Sequence, residues 1–208
     1  MKKTILAVAL ILATSINAQT TAKDYYKKGL SIMEGGTKNL QAAIEEFSKA
    51  IELSPKTGQS FETGQAYGSR AWCKKQLKDY KGAIEDYNKA IEFQPKFAVA
   101  FSERGECKFY LNDFKGDVED QTKALEQYED AKYYYLRGDA KYMLGEYKEA
   151  IFDLNKCLAT FQYDMAYIKR GQCKLKLSDK AGACADFKTA RNNGNVVEAV
   201  AMLNEFCK

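Results

Sequence analysis

The 208-residue chain has no histidine. The side chain whose ordinary pKa lies nearest neutrality is therefore missing, and Cys-His and Ser-His-Asp constellations are excluded. There is no Cys-x-x-Cys pair, so neither a zinc site nor a thioredoxin-like redox site is indicated. No P-loop, no Gly-x-Gly-x-x-Gly and no cluster of metal-ligand residues occurs, so the sequence names no cofactor. Charge of one sign is also lacking, with 32 basic residues against 28 acidic ones. Such a balance leaves no electrostatic footprint for nucleic acid or an anionic membrane. Beyond the first 16 residues no apolar run is long enough to span a bilayer, which takes about 20 residues.

The first residues form a unit of their own. Lys2 and Lys3 precede an apolar stretch from Ile5 to Ile16 and then Asn17-Ala18-Gln19. This pattern reads as a secretory signal peptide over residues 1–18, cut after Ala18. Without Lys2 and Lys3 the balance is 30 basic to 28 acidic residues. The expected product is exported, periplasmic or secreted, with no transmembrane segment, and residues 19–208 form one domain.

What the chain does contain is repetition. Tyr-Gly-Ser-Arg-Ala (67–71), Phe-Ser-Glu-Arg-Gly (101–105), Tyr-Tyr-Leu-Arg-Gly (134–138) and Tyr-Ile-Lys-Arg-Gly (167–171) are variants of one phrase. An earlier copy, Tyr-Tyr-Lys-Lys-Gly, stands at 25–29. The final small residues are 42, 34, 33 and 33 positions apart. A period near 34 implies a stack of small, like units.

A second phrase follows each aromatic by about 16 residues, as in Ala-Ile-Glu-Asp-Tyr-Asn-Lys-Ala-Ile-Glu at 83–92. Its apolar residues at i, i+1, i+4, i+7 and i+8 make one helical stripe. Each unit is thus expected to be an antiparallel pair of helices. Gly105, Gly138 and Gly171 fall inside a helix, at roughly 1 kcal/mol each relative to alanine. That cost fits a second helix crossing close by, with Ala83, Ala150 and Ala183 as its small residues.

The pattern resembles the tetratricopeptide repeat. Tyr67, Ala71, Tyr80, Ala83, Tyr87, Ala90 and Pro95 fill that family's positions in one unit, and Tyr167, Gly171, Ala183, Phe187 and Ala190 in the last. Pro55 and Pro95, the only prolines, both end units. The resemblance implies an all-α, right-handed solenoid. Its five hairpins lie near 22–57, 64–97, 98–130, 131–163 and 164–195, followed by a capping helix at 197–206. Departures are local. Asp117 and Gln121 replace the small residue and the aromatic in the third unit, whose second helix is expected to pack least well, and Lys180 replaces the post-turn aromatic in the fifth.

In this family the first helices line a concave face where partners lie. Carried over residue by residue, that implies a groove at Tyr26, Trp72, Phe109, Tyr110, Tyr135, Tyr142, Met143 and Ile168. Aromatics and methionine are the residues favoured at contact cores. The family's carboxylate-clamping members use Lys and Asn at inward positions where this chain has Tyr26, Leu30 and Trp72, so that activity does not transfer. The reading is a non-catalytic scaffold of the envelope or exterior holding a protein or peptide. Binding of glycan or cell wall is the alternative, and self-association is a smaller third.

Two further expectations concern contacts between units. Arg70, Arg104, Arg137 and Arg170 recur one position before the small residue, and Glu46, Asp86, Asp120 and Asp153 recur in the second helices. A ladder Glu46–Arg70, Asp86–Arg104, Asp120–Arg137 and Asp153–Arg170 across unit boundaries is expected. Repetition of the acids at one position speaks for architecture rather than for paired catalytic carboxylates. Cys184 stands in the stripe that faces the next first helix, and Cys207 stands in the capping helix where Cys73, Cys107 and Cys173 stand in theirs. A Cys184–Cys207 disulfide is expected. Cys73, Cys107, Cys157 and Cys173 read as buried thiols.

Overall fold

A computed structural model describes residues 20–54, 60–194 and 196–208, without the side chains of Phe61 and Val196. The expected leader at 1–18 and the unit-ending Pro55 lie outside the described residues. Among those described there are eleven α-helices, one short 3-10 turn (Thr37–Asn39) and no strand. The helices are α1 (Ala22–Glu34), α2 (Leu40–Leu53), α3 (Phe61–Gln76), α4 (Tyr80–Phe93), α5 (Ala98–Tyr110) and α6 (Phe114–Gln127). They continue with α7 (Ala131–Met143), α8 (Tyr147–Thr160), α9 (Asp164–Lys176), α10 (Lys180–Asn193) and α11 (Val196–Phe206). Each helix packs on the next, so the chain is a solenoid of five hairpins with α11 laid over its end.

The hairpin turns have one chemistry. Lys78, Asn112 and Ser178 adopt φ near +64°, and Gly145 takes the same place at +80°. The next residue caps the second helix: Asp79, Asp113 and Asp179 accept from the backbone N–H of Gly82, Gly116 and Gly182 at 2.9–3.0 Å. A short acceptor before the first turn satisfies an N–H that has no partner within the helix.

The small residues sit where the helices cross. Ala43, Ala83, Ala150 and Ala183 are fully buried. A β-carbon at Gly29 would lie 2.6 Å from the Phe47 ring, and one at Gly138 would lie 3.1 Å from Leu154 and 3.3 Å from the Ala150 carbonyl. The close neighbour at a helix glycine is thus mainly a large side chain from the partner helix. Phe47, Tyr87, Leu154 and Phe187 fill the core of their units at 0–2% exposure. Each such burial is worth roughly 1.5–3 kcal/mol.

The third unit solves its departure differently from expectation. Asp117 and Gln121 are not loosely packed: both are buried, at 1% and 0% exposure. The Gln121 amide donates to Asp117 Oδ1 at 2.9 Å and to the Ser102 carbonyl at 3.0 Å. Gly105 opposite leaves room for these longer side chains.

The expected arginine ladder is corrected. Arg70, Arg104, Arg137 and Arg170 each grip an acid of their own hairpin, 16 residues on: Asp86, Asp120, Asp153 and Asp186. Glu46 pairs instead with Lys28 and Lys49. The acid lies on the face of the second helix that turns back to its own first helix. What faces the following unit is the residue two positions later. Ser48, Asn88, Thr122 and Asn155 accept from the remaining Nη1 of the next unit's arginine at 2.6–3.1 Å. The guanidinium fork suits this division, with two parallel donors to a carboxylate and a third free to reach elsewhere. Lys74, Lys108, Lys141 and Lys174 add a second cation to the same acids.

Cys184 and Cys207 are joined, with α-carbons 5.8 Å apart, inside the range a disulfide spans. The bridge ties α11 to α10. Gly194, at φ +128°, ends α10 and lets the chain reverse. Cys73, Cys107, Cys157 and Cys173 are free and buried. Burial pushes the Cys73 and Cys157 thiols up to about 11 and those of Cys107 and Cys173 to about 12, so all four stay protonated near neutrality.

Candidate functional site

Successive first helices touch one another (α1 with α3, α3 with α5, α5 with α7, α7 with α9). Among the described residues no two consecutive second helices are in comparable contact. The first helices therefore form the inner side of the curve. Four hollows open along them and toward the hairpin edges.

Tyr26 lies in the first, beside Leu30, Ala50 and Ala66 in a space of about 290 Å³. Its ring is half-buried 5.7 Å from that of Phe47, and its hydroxyl donates to Gln65 at 2.9 Å. Trp72 lines the second, also about 290 Å³, with Met33 and Val99. Phe109, Tyr110 and Tyr135 share a third hollow of about 180 Å³. Tyr110 is 57% exposed and stacks on Tyr80 with ring centres 4.7 Å apart. Phe109 meets Phe114 edge-on at 5.1 Å, and Tyr135 meets Tyr163 edge-on at 4.6 Å. Tyr142 borders the fourth, about 450 Å³, with Gln172 and Leu175, and the Lys169 ammonium lies 4.8 Å from its ring centre. Met143 is exposed.

Ile168 is the exception and a correction. It is 1% exposed, in one core cluster with Phe187 and Ala199. Gly68 and Ser102, at the same repeat position, are buried too, whereas the longer tyrosines there, Tyr26 and Tyr135, reach out to line hollows. The Ile168 side chain therefore offers no surface to the inner face. Of the other seven, six line these four hollows, with Phe109, Tyr110 and Tyr135 in the same one, and Met143 lines none of them.

A charge network between these hollows was not foreseen. Lys75 on α3 reaches Glu103 at 2.5 Å and Glu106 at 2.8 Å, both on α5. Lys132 on α7 reaches the same two acids from the other side, at 3.0 and 2.8 Å. Burial alone would lower the Lys75 ammonium, but the two carboxylates outweigh it and raise it. Burial opposes ionisation of Glu106, and the two lysines overcome it and hold its pKa below the usual value. Asp139 is matched by Lys169 at 2.7 Å. Three cations and three acids therefore cancel along the inner face. The signal in sequence was the i, i+3 pair Glu103 and Glu106, with lysines at inward positions of the units on both sides.

Below this face lies Asp117. Burial pushes its carboxyl up to about 7, with Glu106, Asp120 and Asp139 adding to the rise and the Gln121 amide opposing it. Among the described residues no three of Cys, Asp and Glu come together as metal ligands, and no helix is long and apolar enough to cross a membrane.

Comparison with known proteins agrees with this architecture. A tetratricopeptide-repeat model matches residues 64–97, and a second such model matches 35–57 and 131–160. Sequence comparison with curated proteins finds no match. Among solved structures, a YrrB structure described as a tetratricopeptide protein with an unusual peptide-binding site is similar. Its TM-score is 0.75 at 17% identity, over 90% of this chain and 94% of that one. MamA from Desulfovibrio magneticus RS-1 also reaches 0.75, at 15% identity, over 85% and 96% of the two chains. The first tetratricopeptide domain of Spaghetti (RPAP3), bound to the HSP90 peptide SRMEEVD, reaches 0.57 at 20% identity, over 58% and 97%. At these identities the likeness concerns the fold.

Proposed function

We propose that the chain is a non-catalytic scaffold that holds a partner protein by an apolar or aromatic segment against the inner face of its first helices. The carrying observation is the middle hollow. There the half-exposed Tyr110, backed by Tyr80, stands beside Phe109 and Tyr135 while the neighbouring charges are already paired with one another. A backed aromatic presents area without losing much side-chain freedom on binding, which is what contact hot spots require. Around this hollow Lys75 and Lys132 are taken by Glu103 and Glu106, so neither is free for a terminal carboxylate. The fold is one that generally binds proteins, and two similar structures are described as binding peptides.

The site of action we infer is the envelope or the exterior. The leader-like residues 1–18 and the Cys184–Cys207 bridge support it, since disulfides persist in oxidising compartments. Glycan binding is the alternative reading, favoured by the same open Tyr110 ring, because a backed tyrosine also suits the apolar face of a sugar.

The test is capture from envelope extract and, separately, from purified cell-wall polymer, using the natural chain and Tyr110→Ala. Retention of a defined protein by the natural chain, and its loss on substitution, supports the scaffold. Retention of polymer alone selects the glycan reading. Equal capture by both chains sinks the groove.

A further inference from the structure

Hairpin four contains a cavity of about 730 Å³, in the size range of small-ligand sites, roughly 300–1,000 Å³. It opens between the start of α7 and the end of α8. Tyr134, Tyr135, Phe161 and Tyr163 wall it, and Glu129 and Asp130 stand at its edge.

The second hairpin shows why the space exists. There Phe93 is buried and stacks on Tyr67 with ring centres 5.8 Å apart and planes 13° from parallel. Counting by repeat position, Tyr134 corresponds to Tyr67 and Thr160 to Phe93. Tyr134 keeps the arginine contact of its counterpart, Arg137 at 5.7 Å against Arg70 at 5.4 Å, but has no stacked ring. A threonine in place of a phenylalanine removes the filler and leaves the aromatic wall uncovered. Phe161, 62% exposed, stands beside the gap.

Charge selects the occupant. Glu129 accepts from the Tyr134 hydroxyl at 2.9 Å, and Asp130 accepts from the Lys132 backbone N–H at 2.7 Å. Neither carboxylate has a cationic partner among the described residues. Lys132, the one cation in the wall, is committed to Glu103 and Glu106. The cavity therefore joins several ring systems to two uncompensated acids. An ammonium or guanidinium on an aliphatic stem satisfies both, because the ring quadrupole and the carboxylates attract the same charge.

We propose that this cavity binds an organic cation of that kind, supplied by an arginine or lysine side chain of a partner or by a free amine. The site shares only Glu106, Tyr135 and Leu136 with the middle hollow and excludes Tyr110, so this inference and the reading above fail separately.

The experiment is calorimetric titration of the folded, disulfide-bonded protein with N-acetyl-arginine amide, N-acetyl-lysine amide and the neutral N-acetyl-citrulline amide, with the ring protons of Tyr134 and Tyr163 followed by NMR. Binding of a cationic probe with ring shifts is expected, and about tenfold weaker binding of citrulline. Thr160→Phe, which restores the filler of hairpin two, should abolish binding, and Phe161→Ala provides a second variant should that one fail to fold. Glu129→Gln and Asp130→Asn should each weaken binding by roughly threefold. A pentapeptide centred on arginine that binds about tenfold tighter than the amide identifies a partner's side chain as the source, and equal affinities identify a free cation. Equal binding of citrulline, unchanged binding by natively folded Thr160→Phe, or no binding of either cationic probe overturns the proposal.

Discussion

Arg104 holds Asp120 with two parallel bonds, Nε to Oδ2 at 2.9 Å and Nη2 to Oδ1 at 2.6 Å, within one hairpin. Its third donor, Nη1, reaches Asn88 Oδ1 at 2.6 Å in the hairpin before. One side chain thereby fixes both the closure of its own unit and the register of the unit it stacks upon.

The two roles separate by mutation. Asp120→Ala leaves Arg104 and Lys108 without their carboxylate in a largely buried setting and is expected to cost about 3 kcal/mol. Asn88→Ala removes only one bond at a more exposed position and should cost about 1 kcal/mol. Urea unfolding of both variants measures the difference. Equal costs would mean the carboxylate pair has no special weight.

Asp117 makes stability depend on pH in an unusual direction. Its carboxyl is raised by burial to about 7, above the ordinary value near 3.8. The folded state then holds a proton that the unfolded chain has lost, so the contribution is fully present below about pH 4 and declines as pH rises through 7. Asp117→Asn, neutral throughout, should be more stable than the natural chain at pH 8, by on the order of 4 kcal/mol, still more stable by about 1–2 kcal/mol at pH 5, and nearly equal only near pH 4. Melting curves across that window check the sign. A natural chain that gains stability relative to the variant between pH 5 and 8 contradicts it.

The Cys184–Cys207 bridge should govern the end of the solenoid. Cys207→Ser, or reduction, is expected to cost about 2–4 kcal/mol. The amides of α11 should exchange first, because that short helix lies at the end of the stack and is covered from one side, by α10 and part of α9. Hydrogen exchange read by mass spectrometry tests this, and uniform loss of protection along the chain would contradict it.

Burial separates two residues that the repeat pattern alike assigned to the inner face. Ile168→Ala should cost about 2–4 kcal/mol through the cavity it leaves in the core. Tyr110→Ala loses the stack on Tyr80 and should cost about 1 kcal/mol. Thermal unfolding of the two variants distinguishes core from contact surface. If Ile168→Ala is the milder of the two, the core assignment fails.

Sequence by itself determined the helix pairs, their number and order, the polar turns and the pairing of Cys184 with Cys207. These follow from local periodicity and from equivalence between repeats, and both are properties of the linear chain. A cysteine in the stripe of α10 and another just past the end of α11, at the place of the first-helix cysteines, come together if the last pair is built like the others. Repetition does not say which of two neighbours a given face meets. Asp86 could have turned to Arg104 of the next hairpin, but it turns to Arg70 of its own, because the face of α4 that carries it looks back across the hairpin. The same ambiguity hid Ile168 in the core and left the lysines around Glu103 and Glu106 unconnected in the linear reading. The cavity of hairpin four depends on a residue that is absent, a ring where Thr160 stands, and only packing in three dimensions shows that no other side chain moves in to fill the space.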